Sequence, residues 1–170
     1  MPKVTTAPAR DSGVRSEDQS VDRIQGSLQT VARSLSQVRV HERLLKVAGV
    51  RLDRAGSSLL YKLHVHSDSL RVTALADLLG VDAPTVTRKV QQLERDGLVV
   101  RHGDPEDGRA VLIGLTPAGR QTLERVLEAR RSWLGGLLHG WSRADLEVFA
   151  TLFARFSETL EQDLEEPRGN

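Results

Sequence analysis

The stretch from Leu70 to Leu115, LRVTALADLLGVDAPTVTRKVQQLERDGLVVRHGDPEDGRAVLIGL, decides the reading of this 170-residue chain. Val72, Leu75, Ala76 and Leu79 recur at helical spacing and stop at Gly80, so a short helix is expected there. A new start signal comes at once, Asp82-Ala83-Pro84-Thr85. In the helix it opens, Val86, Val90 and Leu93 stand at i, i+4 and i+7. On a wheel of ~100° per residue these three fall within about 60° of one another. Opposite them lie Pro84, Arg88, Gln91 and Arg95, flanked by Thr85 and Gln92.

A helix, a tight glycine turn and a second helix with a polar outer face form the helix-turn-helix pattern. The side chains suit a DNA groove: arginine can donate two bonds to a guanine edge, glutamine can pair with adenine, and threonine offers a hydroxyl and a methyl. A polar outer face is also what any solvated helix shows, and the next element weighs against that bland reading. Gly97 ends the helix, Leu98-Val99-Val100-Arg101 is β-prone, and residues 103–109 are dense in turn formers. Val111-Leu112-Ile113-Gly114-Leu115 returns as a second strand. A hairpin directly after such a helix is a wing. Its tip carries Arg109, able to enter a narrow, negatively charged minor groove. Asp107 is counterproductive beside DNA unless it bridges Arg109 and holds the guanidinium in place. A solvated Asp/Arg pair on a loop would contribute only about 0–1 kcal/mol and require no function.

Outward from this segment, residues 1–19 read as a flexible tail with almost no apolar anchor. Val21, Ile24, Leu28, Val31, Leu35 and Val38 make one stripe of an amphipathic helix that should end before Gly49. Leu59, Leu60 and Leu63 mark a short helix from about Ala55 to Val65, and His66-Ser67-Asp68-Ser69 reads as a polar break. Thr116-Pro117 opens a helix with Leu123, Val126, Leu127, Trp133, Leu134, Leu137 and Leu138 on a broad apolar face. Ser142 with Asp145 opens another, on which Leu146, Phe149, Phe153, Phe156 and Leu160 repeat at steps of three and four. The first and the last two helices exceed the cover a small central domain needs. They are expected to pack on a second copy of the chain, with intramolecular core as the alternative. The fold is therefore expected to be mainly α, a winged helix-turn-helix with a two-stranded β wing and flanking dimerisation helices. Its parts are a tail at 1–19, a dimerisation helix and linker at 20–54, the winged domain at 55–115, C-terminal dimerisation helices at 116–165, and a disordered tail at 166–170.

Composition narrows the chemistry. There is no cysteine, which removes disulfides, thiolate zinc sites and thiol redox sensing. No apolar run approaches the ~20 residues of a membrane span, and the N-terminus has no signal-peptide core, so a cytoplasmic chain is expected. Residues 1–54 carry 10 Lys and Arg against 6 Asp and Glu, residues 55–141 carry 11 against 10, and residues 142–170 carry 3 against 7. The acidic C-terminal end should therefore face away from a polyanion. His41-Glu42 lacks the second histidine of a zinc-protease helix, while His64 and His66 near Asp68 are better explained as exposed or capping residues than as metal ligands. His102 and His139 complete the five histidines. Neither a Gly-x-Ser-x-Gly elbow nor a phosphate-binding Gly-x-x-x-x-Gly-Lys run is present, and the carboxylates sit among Lys and Arg at helix-surface spacing. No enzyme, catalytic residue, metal or cofactor is expected.

Leu75-Ala76-Asp77-Leu78-Leu79-Gly80-Val81, Thr85-Val86-Thr87-Arg88, Leu93-Glu94-Arg95-Asp96-Gly97-Leu98-Val99, Asp104-Pro105-Glu106-Asp107-Gly108-Arg109-Ala110 and Leu115-Thr116-Pro117-Ala118-Gly119 follow one another at characteristic spacing. In this order the segments resemble the MarR family of bacterial transcriptional regulators. The motifs span about 45 residues and the flanking helices fit over roughly residues 20–165. The resemblance implies a triangular all-helical homodimer with one wing per subunit, bound to a pseudo-palindromic operator in double-stranded DNA. It implies that Pro84, Thr85, Thr87, Arg88 and Gln91 face the major groove, that Asp107 and Arg109 form the wing's Asp-x-Arg pair, and that Arg101 sits near phosphate. Thr73 and Arg95 are counted with the DNA-facing residues. It further implies a small-molecule effector bound in the region from Arg39 to Tyr61. The alternatives are a constitutive or metal-responsive regulator, or a winged-helix protein-interaction module without DNA binding.

Overall fold

The computed structural model describes residues 12–66, 69–104, 107 and 110–165. Their order is α1 (Ser12–Ser36), α2 (Val38–Val47), α3 (Arg54–Val65), β1 (Ser69–Arg71), α4 (Val72–Leu79), α5 (Ala83–Arg95), β2 (Val99–Gly103), β3 (Val111–Leu115), α6 (Pro117–Leu137) and α7 (Arg143–Glu165). The chain divides into two units, Met1–Val126 and Leu127–Asn170, with the division inside α6.

The apolar positions of the central stretch form the core of the first unit. Val86, Val90 and Leu93 of α5 are buried, as are Leu75 of α4, Leu59, Leu60 and Leu63 of α3, Val99 of β2, Ile113 of β3, and Leu123 and Val126 of α6. Each such side chain removed from water stabilises the fold by about 1.5–3 kcal/mol. Local signals set the ends of the helices. Gly80 closes α4 at φ 65°, a left-handed conformation that glycine adopts without a Cβ clash. Asp82 caps α5 by accepting the Thr85 N–H at 2.7 Å.

Two joints hold the helices in register. Asp53 caps α3 through Oδ1, which accepts the Gly56 N–H at 2.8 Å, while its Oδ2 accepts from Lys89 Nζ of α5 at 2.6 Å. A Cβ on Gly56 would lie 3.3 Å from Leu93 Cδ2, so the absent side chain permits the close approach of α3 to α5. Partial burial pushes the Asp53 carboxyl up, but bonds from Lys89 and the Gly56 amide, with the Lys89 charge, outweigh it and leave it below its ordinary value. At the second joint Thr116 Oγ1 donates to the Gly97 carbonyl at 2.7 Å and accepts the Gly119 N–H at 2.9 Å. A Cβ on Gly119 would collide with the Leu98 carbonyl oxygen, so α6 starts directly against the chain that leaves α5.

The strands form one antiparallel sheet of order β1-β3-β2, with Ser69 opposite Gly114, Arg71 opposite Leu112, Val99 opposite Leu115 and Gly103 opposite Val111. The hairpin β2–β3 is the expected wing. β1 is an addition to it, lying at the end of the segment read as a polar break. Three residues are too few for a period-two pattern to register.

The single helix expected from Val21 to Gly49 is instead two. At Gln37 the backbone is extended, at φ −65° and ψ 123°. Ser36 Oγ donates to the Arg33 carbonyl at 2.9 Å, taking the acceptor that the Gln37 amide would have used, and that amide turns to Ser34 O. α1 also begins at Ser12, inside the stretch read as a tail, while residues 1–11 and 166–170 lie outside the described residues. In α2, Leu44 and Leu45 are buried, so part of the segment assigned to dimerisation and linker packs within its own unit.

In the second unit Ser142 and Asp145 cap α7 reciprocally. Ser142 Oγ donates to Asp145 Oδ2 at 2.6 Å and accepts the Asp145 N–H at 3.1 Å. Val148, Phe149, Leu152, Phe153, Phe156, Leu160 and Leu164 of α7 are all exposed. Phe149 stacks on Phe153 and tilts against Trp141, at centroid separations of 5.5 and 5.4 Å. No described helix is long and apolar enough to cross a membrane.

Candidate nucleic-acid interface

α5 presents its polar side to solvent because Val86, Val90 and Leu93 commit the other side to the core. Pro84, Thr85, Arg88, Gln91 and Arg95 are exposed, and Arg88 lies one turn into the helix. Arg88 Nη2 donates to Thr85 Oγ1 at 3.3 Å, a weak contact that leaves most of the guanidinium's donors directed outward. Arg95 Nε donates to the Gln91 carbonyl at 3.3 Å. Thr87 departs from the set: it is half-buried and its hydroxyl donates to the Ala83 carbonyl at 2.9 Å. Hydrogen bonds from Thr85 hold the Asp82 carboxyl below the usual carboxylate range, with a smaller contribution from the Arg88 charge. The helix start is thus a fixed, ionised cap beneath the residues offered to the groove. Thr73 is exposed near the start of α4.

The wing side is more interlocked than the sequence reading implies. Arg101 Nε donates to Glu94 Oε2 of α5 at 3.0 Å, so its charge is already engaged within the domain. Asp107 Oδ2 lies 3.5 Å from Arg71 Nη2. Arg109, the expected partner of Asp107, lies outside the described residues. Arg71 also donates to Asp104 Oδ2 from both Nη2, at 2.7 Å, and Nε, at 3.2 Å. On the same face Ser69 Oγ and His102 Nε2 share a hydrogen bond of 2.9 Å across Gly114, where a Cβ would come within 3.1 Å of that ring nitrogen.

Sequence reasoning missed Arg71, Asp104, Ser69 and the Lys89–Asp53 joint. Their partners are far away in the chain, and no short motif encodes them. Gly114 was the one available signal, since a glycine inside a strand pattern marks a close approach. Among the described residues, His64, His66, His102 and His139 are exposed, and no three His, Asp or Glu side chains converge as a metal site requires.

Comparisons with known proteins agree on one assignment. The family model of the MarR family matches residues 55–111. An uncharacterized helix-turn-helix-type transcriptional regulator of Bacillus subtilis, YxaD, is 32% identical over 63% of this chain and 74% of its own length. The crystal structure of YusO from Bacillus subtilis superposes with a TM-score of 0.61 at 26% identity, covering 83% of this chain and 96% of YusO. A MarR family protein from Bacillus stearothermophilus shares the fold, with a TM-score of 0.71 at 23% identity over 88% of this chain and 98% of that one. The relatives are regulators and not enzymes, and the exposed arginine-bearing face of α5 beside a wing is the part of this chain that suits such work. The chain belongs to the MarR family of DNA-binding, helix-turn-helix transcriptional regulators.

Proposed function

We propose that this regulator is a cytoplasmic homodimer that represses transcription from a pseudo-palindromic operator, reading bases through α5 and minor-groove shape through the wing. The observation that carries the reading is the outward face of α5, where Arg88 and Gln91 stand exposed on a helix with a fixed cap and a committed core side. Arg88 contacts base edges, Pro84, Thr85, Thr87 and Gln91 line the same groove, and Thr73, Arg95 and Arg101 lie toward the backbone. Arg109 enters the minor groove and Asp107 holds it there. Dimerisation is supported by the exposed apolar stripes of α1 (Val21, Ile24, Leu28, Val31 and Leu35) and of α7, which a second copy would cover. Selection from randomised duplexes tests this directly. It should return an inverted repeat with half-sites about one helical turn apart, bound with an affinity that falls steeply with salt. Recovery of no palindrome counts against it.

Release by a small aromatic or anionic effector is part of the same reading. An open cleft of about 450 Å³ lined by Gly49, Val50, Arg51, Asp96, Leu98, Thr122 and Arg125 overlaps the region from Arg39 to Tyr61 and has the size of a small-ligand site. A thermal-shift screen should find a compound that both stabilises the protein and releases operator DNA. A screen that finds none favours a constitutive regulator.

A further inference from the structure

β1 does more than widen the sheet. Its register places Ser69 and Arg71 opposite Gly114 and Leu112, which in turn lie opposite Val100 and His102. Side chains at these positions share one face, because alternate residues of a strand point the same way. Two residues of β1 use that face to reach over β3. Ser69 meets His102 of β2 above the bare Gly114, and Arg71 meets Asp104 immediately beyond β2. Arg71 Nη2 also lies 3.5 Å from Asp107, so one guanidinium faces the carboxylates at both ends of Asp104–Asp107. The backbone closes the same place from within: the Asp104 N–H donates to the Ala110 carbonyl at 3.0 Å and the Ala110 N–H to the Asp107 carbonyl at 2.8 Å.

Arg71 also stands at the N-cap position of α4, the first helix of the helix-turn-helix, with extended backbone at φ −68° and ψ 150° and no cap hydrogen bond from its side chain. Its backbone therefore belongs to the α4–α5 frame while its side chain grips the base of the wing. We propose that Arg71 and Asp104 are positioning residues for the wing, fixing its angle to α5 so that both meet DNA in one register. The inference rests on the reading that wing and α5 bind DNA together.

The pair separates positioning from plain charge. Asp104 is nearly buried, its side chain 11% exposed, and it carries a negative charge toward the wing. Screening alone predicts that Asp104→Asn tightens binding to every duplex. Positioning predicts the reverse for the operator: about tenfold weaker binding with little change on random DNA, and a shallower salt dependence as wing contacts are lost. Arg71→Lys keeps the charge but loses the two donors that converge on one carboxylate oxygen, so it should also weaken operator binding several-fold. A phosphate contact made by Arg71 itself would survive that change.

Operator and random-duplex affinities of the full chain, its Asp104→Asn and its Arg71→Lys variants, measured at two salt concentrations with a thermal melt of each, test the inference. A fall in the operator-to-random ratio for both variants, on proteins that melt cooperatively, supports it. Unchanged or tighter operator binding by Asp104→Asn, or a lowered melting temperature with an unchanged ratio, overturns it and leaves the DNA-binding reading standing. Failure of the wild-type chain to bind any duplex overturns both.

Discussion

Val86, Val90 and Leu93 on α5 and Phe149, Phe153 and Phe156 on α7 have the same i, i+4, i+7 spacing, yet their surroundings are opposite. The α5 triad is 0–1% exposed, whereas the α7 phenylalanines are 38–51% exposed within the chain. The first stripe finds its cover in α3, α4 and β2. The second has three aromatic rings, the most costly side chains to leave in water, and no such cover. Periodicity thus reports that a face is to be buried and is silent on which chain buries it. Where the stripe belongs to the winged domain the answer is intramolecular. On α7, and on α1 with its five exposed aliphatic residues, the dimer reading supplies the answer.

The largest effect should come from the α7 stripe. Replacing both Phe149 and Phe156 with Asp should abolish the dimer, giving monomers or aggregates in light scattering while the winged domain keeps its helical signal. A surviving dimer would break the contrast between the two stripes. Leu93→Ala should act within one chain, costing about 2–5 kcal/mol in chemical denaturation because the cavity next to Gly56 cannot collapse fully. A cost below ~0.5 kcal/mol would show that α5 is less committed than its burial implies.

Smaller effects sharpen the comparison at the joints. Asp107→Ala should weaken operator binding less than Arg109→Ala does, because it frees the guanidinium without removing it; tighter binding would sink the positioning role of Asp107. At the α3–α5 joint, the Asp53 carboxyl is held below its ordinary 3.8. A depressed acid stabilises the fold above that value, and the contribution is lost as pH falls through the lower folded-state value. Because the Asp53 side chain is more than half exposed, the pair should contribute only about 0–1 kcal/mol. Asp53→Asn should lose that increment at neutral pH and show a correspondingly weaker dependence on acid as pH falls through and below 3.8 in thermal melts.

Much of the winged domain is legible from short-range chemistry. The Asp82 and Thr116 caps, the Gly80 and Gly97 stops and the α5 apolar triad are each encoded within a few residues. Burial then leaves Arg88 and Gln91 on the outer face. What escaped the sequence depends on distant partners or on competition between bonds. β1 is a strand only because β3 lies beside it, and Arg71 acquires its role from aspartates over thirty residues away. At Gln37 the Ser36 hydroxyl occupies the Arg33 carbonyl that a continuing helix would offer the next amide, while Ser27 and Thr30 make back-bonds within α1 without a break. The Arg101–Glu94 ion pair escaped as well, because Glu94 stands seven positions earlier, across a turn whose geometry the sequence does not state.

The central claim is that the exposed side of α5 reads bases, and Arg88→Ala measures it most directly. Equilibrium binding of wild-type and variant chains to the selected operator and to a random duplex, at one fixed salt concentration, gives the specificity ratio. The account predicts a loss of about 1–3 kcal/mol on the operator and much less on random DNA, so that specificity relaxes. An equal loss on both duplexes would make Arg88 a phosphate contact, and no loss on either would contradict the assignment of α5 as the recognition helix.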